Sequence, residues 1–150
     1  MFDVDKIICP TDFSDPSYEG LKKAIEIAEH FTAELILVHI ISPIPNIMGT
    51  ASPTGFHLPG VLEEMEKQAT QKIEADAADQ IPDHIRSKTI VKIGRAAEQI
   101  VQTALEKKAE IIVMATHGQS GWQRFVSGSV TERVVRMATC PVYVVPAPEE

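Results

Sequence analysis

Two clusters of residues have the types and spacing to bind a phosphorylated ligand. Gly128 can bring backbone close to a ligand with no Cβ in the way. The four residues after it, Ser129-Val130-Thr131-Glu132, have the S-x-x-E form of a capping box that opens a helix. A helix N-terminus offers unpaired N–H groups and a partial positive charge, which favour phosphate. The Ser129 hydroxyl has one donor and two acceptor sites, so it can cap the helix and donate to a phosphate oxygen at once. The same residues also read as an ordinary loop leading into a well-capped helix. The second cluster centres on Asp12, just beyond an apolar run. Its carboxylate could accept from a ribose hydroxyl or coordinate Mg²⁺; it could equally cap the following helix across Asp12 to Ser14.

Local charge suits an anion better than the whole chain does. The formal net charge is −7, a poor balance for holding a nucleic-acid backbone. Between His117 and Arg136, however, Arg124, Arg133 and Arg136 stand against one acid, Glu132. Arg124, inside the glycine-bounded loop, is the better phosphate neighbour; Arg133 and Arg136 are expected on the solvent face of a helix. Other chemistries lack their patterns. There is no Walker loop and no G-x-G-x-x-G. Gly118-Gln119-Ser120-Gly121 fails as a nucleophile elbow, because Trp122 stands where the second glycine belongs. The five histidines form no i,i+4 pair. Cys9 and Cys140 have no metal or redox spacing and read as small core residues. No nucleophile–base pair is apparent, so no catalytic residue is assigned and any hydrolysis of a bound phosphate ligand is expected to be slow.

The elements that must position these residues are legible as alternating runs. Five β-type runs occur at Lys6–Cys9, Glu34–Ile41, Lys88–Ile93, Ile111–Ala115 and Val142–Val145. Four are almost continuously apolar, as strands covered on both faces are. The third alternates lysine with isoleucine, as an edge strand does. Between them, Leu21, Ala24, Ile25 and Ala28 mark one helix, with Asp15-Pro16 as its expected N-cap and first turn. Leu62, Met65, Ala69, Ile73 and Ala77 mark a second. Ile100, Val101, Ala104 and Leu105 mark a third, and Val130, Val134, Val135 and Ala138 a fourth. Strict β-α alternation predicts a doubly wound α/β fold, a five-stranded parallel sheet with helices on both faces. Ligands of such sheets bind beyond the carboxyl ends of the strands. The stretch from Ser42 to Gly60, rich in proline and glycine, is expected to be a flexible loop. The Glu63, Glu64, Glu66 run reads as a solvated helix face.

The 150 residues, 44% hydrophobic and 23% charged, suit one globular domain over 1–150. Met1–Asp5 has neither the basic start nor the apolar stretch of a signal peptide. No run approaches the ~18–20 apolar residues of a membrane helix. A cytoplasmic setting is therefore expected. A two-component receiver domain shares the alternation but needs an acid after the third strand, where Gly94 stands, and a lysine after the fifth, where Pro146 stands.

Taken in order, four motifs resemble those of the universal stress protein family, almost end to end from Lys6 to Val145. They are Pro10-Thr11-Asp12-Phe13-Ser14, Leu37-Val38-His39-Ile40, the glycine pattern, and Thr139-Cys140-Pro141-Val142-Tyr143-Val144-Val145. The family's glycine pattern is G-x-x-G, nine residues, then G-S or G-T. Gly118 and Gly128-Ser129 match it, and Ala115 stands at its first position. The resemblance implies the ATP-binding branch of the family and a homodimeric, nucleotide-dependent regulator or sensor in the stress response. It implies that Asp12, with Pro10 and Thr11, lies by the ribose and metal, Mg²⁺. The Ile40 backbone would read the adenine edge, and Met114 and Ala115 would line the nucleoside. Gly118, Gly128, Ser129 and Val130, with Thr131, would hold the phosphates. The partner's copy of Val142–Val145 would pair with this one, covering an otherwise exposed apolar edge. Two alternatives share the fold: an adaptor that binds no nucleotide, and a slow ATPase or nucleotidyl-transfer enzyme.

Overall fold

Runs of β-branched and other apolar residues form five strands: β1 (Lys6–Pro10), β2 (Glu34–Ile41), β3 (Ser87–Ile93), β4 (Ile111–Ala115) and β5 (Val142–Val145). Among the described residues four helices join them: α1 (Asp15–Phe31), α2 (His57–Gln80), α3 (Ala96–Lys107) and α4 (Val130–Met137). The structure, a computed structural model, describes residues 2–43, 57–116 and 130–146. All strand pairs are parallel and the order is β3-β2-β1-β4-β5. This is the expected doubly wound α/β sheet, with β3 at one edge.

The two-residue period of the strands sorts the core into two layers. Ile7 and Cys9 of β1 and Leu35 and Leu37 of β2 face α1 and α2, meeting Leu21, Ala24, Ala28 and Ile73. Ile8, Ile36, Val38 and Ile112 face the other way, onto Ile100, Ala104 and Val134 of α3 and α4. Ile7, Ile8, Leu35, Ile36 and Leu37 are wholly buried, each contributing about 1.5–3 kcal/mol of burial free energy. Burial also pushes the Cys9 thiol up to about 12, which removes it from thiolate chemistry. β5 is the second edge, and Tyr143 on it is 43% exposed.

Several local expectations change. Ser14, not Asp15, caps α1: its backbone is extended and its side chain accepts from the Ser17 N–H, while Pro16 takes the first turn. The helix expected from Leu62 starts at His57, so residues 57–60 of the stretch expected as loop are helical. Pro59 does not prevent this, because the first-turn N–H groups of a helix have no partner to lose. The rest of that loop, 44–56, lies outside the described residues. Leu105 and Val135 are 56% and 52% exposed, against the expected apolar stripes. Ala97, Ile100, Val101 and Ala104 already complete the inner face of α3, and Leu105 falls about 100° further round; Val135 is likewise displaced from buried Val134. The acidic run is solvated as expected, Glu63, Glu64 and Glu66 all being exposed.

Two features shape the carboxyl end of the sheet. Gly94, which ends β3, has φ +152°, and a Cβ there would come within 2.9 Å of the Gln99 side chain. Gly20 brings α1 against the end of β4: a Cβ there would lie 3.3 Å from the Ala115 backbone nitrogen. Ala115 itself keeps an ordinary φ; the described non-glycine residues with positive φ are Phe13, Thr32 and Lys108. Alanine therefore meets no backbone penalty there. Replacing Gly20 by leucine should overpack this contact and lower unfolding free energy by about 1–3 kcal/mol, read from the urea midpoint at unchanged m-value.

Candidate functional site

Strand order reverses between β1 and β4, and the chain leaves their carboxyl ends toward opposite faces of the sheet. A cleft of about 910 Å³ opens there. That is near the upper end of small-ligand sites. Each described residue expected at a ligand lines it. Pro10, Thr11 and Asp12 come from the end of β1, and Ile40 from β2. Met114 and Ala115 end β4, and Val130 and Thr131 open α4. The remaining expected residues, Gly118, Gly128 and Ser129, lie outside the described residues, as do Arg124 and His117.

The turn after β1 is held by a closed set of hydrogen bonds. The Thr11 N–H reaches the Val38 carbonyl at 2.8 Å, continuing the ladder past Pro10, which has no N–H. Ser17 Oγ donates to the Ser14 carbonyl at 2.9 Å, so the hydroxyl of Thr11, 3.1 Å away, is the donor to Ser17. Thr11 Oγ1 in turn accepts the Phe13 N–H at 3.1 Å. Ser14 donates both its N–H, at 3.0 Å, and its hydroxyl to Asp12 Oδ1. Asp12 thus performs the local turn role the sequence allowed, and its carboxylate is oriented by that role at the cleft.

On the opposite wall, the Thr131 hydroxyl donates to the Ala115 carbonyl at 2.7 Å, tying the first turn of α4 to the end of β4. Arg133 does not simply face solvent. Its Nη2 donates to Glu98 Oε1 of α3, while Glu98 Oε2 is buried with no hydrogen-bond partner among the described residues. Arg136 pairs within its own helix with Glu132 at 3.1 Å. No group of three or more His, Cys, Asp or Glu side chains among the described residues could hold a metal on its own. Mg²⁺ needs no such cage, since it binds through one or two carboxylates plus phosphates and waters. Asp12 is the carboxylate on this cleft that fits that role.

Sequence reasoning missed part of the cleft. Phe13 and His39 line it, and so does one face of α2. His39 is half-buried and satisfied, its Nδ1 2.7 Å from the Thr11 carbonyl, but it borders the cleft rather than the core alone. The α2 residues were visible only as an apolar stripe containing Met65 and Ala69. Nothing in a one-dimensional stripe tells which of its edges overlooks a ligand.

Comparison with known proteins agrees with this architecture. The universal stress protein family matches residues 3–146. The universal stress protein MJ0531 of Methanocaldococcus jannaschii is 37% identical over 145 residues, 97% of this chain and 84% of that protein. The solved structure of hypothetical protein MJ0577, from the same organism, is 28% identical with a TM-score of 0.84, covering 99% of this chain and 100% of that one. A universal stress protein solved in complex with cAMP shares the fold at 21% identity and TM-score 0.62, covering 97% and 98% of the two chains.

The Thr131 bond gives a direct test of how the two walls are joined. Thr131→Val keeps shape but removes the donor to Ala115. It should lower unfolding free energy by about 0.5–1.5 kcal/mol and speed hydrogen exchange at the start of α4 relative to β1.

Proposed function

Because the chain belongs to the universal stress protein family, we propose that it binds ATP with Mg²⁺ in this cleft and acts as a homodimeric, nucleotide-dependent regulator in the stress response. One observation carries the reading: every described residue expected at the nucleotide lines one cleft, although they come from four separate elements. Asp12 accepts from the ribose and faces the metal. The backbone of Ile40 reads the adenine edge, and Met114 and Ala115 wall the nucleoside. Val130 and Thr131, at the N-terminus of α4, stand at the phosphates with Gly118, Gly128 and Ser129. Mg²⁺ supplies charge neutralisation to the phosphates, and Asp12 is its protein ligand.

The dimer reading rests on β5. It is an apolar edge strand with Tyr143 exposed, and a second copy of the same edge would cover it. The cytoplasmic reading rests on two free thiols, Cys9 and Cys140, which suit a reducing compartment. No helix among the described residues is long and apolar enough to cross a membrane.

Calorimetric titration of nucleotide-stripped protein with ATP and Mg²⁺ tests the site. The expected Kd lies at about 1–100 μM, weakened more than about tenfold by Gly118→Val. No heat from folded protein would overturn the proposal in favour of an adaptor without nucleotide. For the dimer, sedimentation should show the Tyr143→Glu chain as a monomer where the parent chain is a dimer, since the added charge disfavours a paired apolar edge.

A further inference from the structure

The face of α2 that overlooks the cleft is a regular one. Met65, Gln68, Ala69 and Lys72 follow one another at i, i+3, i+4 and i+7, and all four line the cavity. Ile73, one position further round, is wholly buried and fixes α2 on the sheet. Across from this face stand Phe13, His39 and Ile41, on the α1–α2 side of the sheet. In the same cavity, Ile40, Met114 and Thr131 of the proposed nucleotide seat lie on or toward the α3–α4 side, while Asp12, next to Phe13, borders this wall.

The chemistry of the wall is an aromatic floor with one cation at its rim. Phe13 is held in a conformation rare for a bulky residue, φ 66°. Its N–H is fixed by Thr11, and its ring lies 4.3 Å from the His39 ring, tilted by 31°. The Thr11 carbonyl can only accept, so His39 Nδ1 carries the proton of that bond. Lys72 Nζ sits 5.2 Å from the Phe13 ring centroid and makes no ion pair among the described residues. Asp12 and Lys72 are the fully charged side chains among the described cleft residues. A ligand with a single negative charge gains an ion pair at Lys72, whereas a polyanion on this wall would also meet Asp12.

We propose that the α2 side of the cleft is a binding compartment of its own for a planar aromatic monocarboxylate, its ring against Phe13, Ile41 and Met65 and its carboxylate at Lys72. The Gln68 amide, beside Lys72 on the same helix face, donates one N–H to Glu64 at 3.1 Å and has a second N–H for the same carboxylate. The compartment works whether or not a nucleotide occupies the other wall.

Titration of the full chain with 1-naphthoate, with and without saturating ATP and Mg²⁺, tests this. Naphthoate should bind in both conditions, and the neutral 1-naphthamide should bind more weakly. Lys72→Gln should weaken naphthoate by about fivefold, the scale of an exposed ion pair, and leave ATP affinity unchanged. Gln68→Trp, a substitution at an exposed position, should fill the compartment and abolish naphthoate binding while ATP still binds. Absence of naphthoate binding, full competition with ATP, or unchanged naphthoate affinity in Lys72→Gln would each overturn the compartment. ATP titration of the same samples reports separately on the nucleotide reading.

Discussion

β1 lies in the middle of the sheet, paired on both sides and covered on both faces, and after Lys6 it carries no polar side chain until the chain reaches Thr11. The chain then has to cross the top of a dry sheet with its backbone groups satisfied. It does so through a short relay of hydroxyls and one carboxylate: Thr11 to Ser17, Phe13 to Thr11, Ser14 to Asp12. Each unsatisfied donor in such a place would cost about 1–3 kcal/mol, so the relay is tightly specified. Because β4 exits toward the opposite face, the relay forms one lip of a gap rather than packing under a neighbouring turn. The cleft is thus a by-product of strand order, and its polar lining a by-product of leaving the core.

The two walls of that gap are built differently. On one side, α4 is attached at its first turn to the β4 carbonyl of Ala115, and further along by Arg133 to Glu98 of α3. A partly exposed ion pair of this kind is a weak source of stability, about 0–1 kcal/mol, and its role is better described as fixing direction. On the other side, α2 is held by buried Ile73 and by the Tyr18 hydroxyl, which donates to Asp76 at 2.8 Å; burial and that carboxylate push the phenol up to about 12. The α2 wall therefore rests on contacts away from the lining, whereas the α4 wall is joined through two lining residues, Thr131 and Ala115.

Strand positions were readable almost to the residue, since parallel strands buried on both faces are continuous apolar runs with sharp ends. Only β1 and β3 gained a residue, Pro10 and Ser87. Helix ends were less legible. Ser14 and Asp15 are both good caps by type, and the choice is made by which side chain reaches the Ser17 N–H. Pro59 reads as a breaker until its place in a first turn is known. At the cleft, Asp12 was found because it follows a strand and Thr131 because it opens a helix, whereas Ile40 and Met114 came only through the family resemblance. Phe13 and His39 were not, because their ring contact joins residues 26 apart in sequence and depends on a positive φ that no composition announces. Ala115 was resolved only by its backbone.

Thr116 N–H donates to the Val145 carbonyl at 2.9 Å, so the last described residue before the glycine-bearing stretch hangs from the outermost strand. The edge of the sheet and the end of β4 are consequently one mechanical unit. Under the proposed dimer, any shift of Val145 on pairing along β5 is felt at Thr116, which lines the cleft, and the exchange is reciprocal. With the proposed nucleotide bound, occupancy of the cleft would then depend on chain concentration as well as ligand concentration, in the manner of linked equilibria. Under those two proposals, a single backbone hydrogen bond joins assembly and ligation in one thermodynamic cycle.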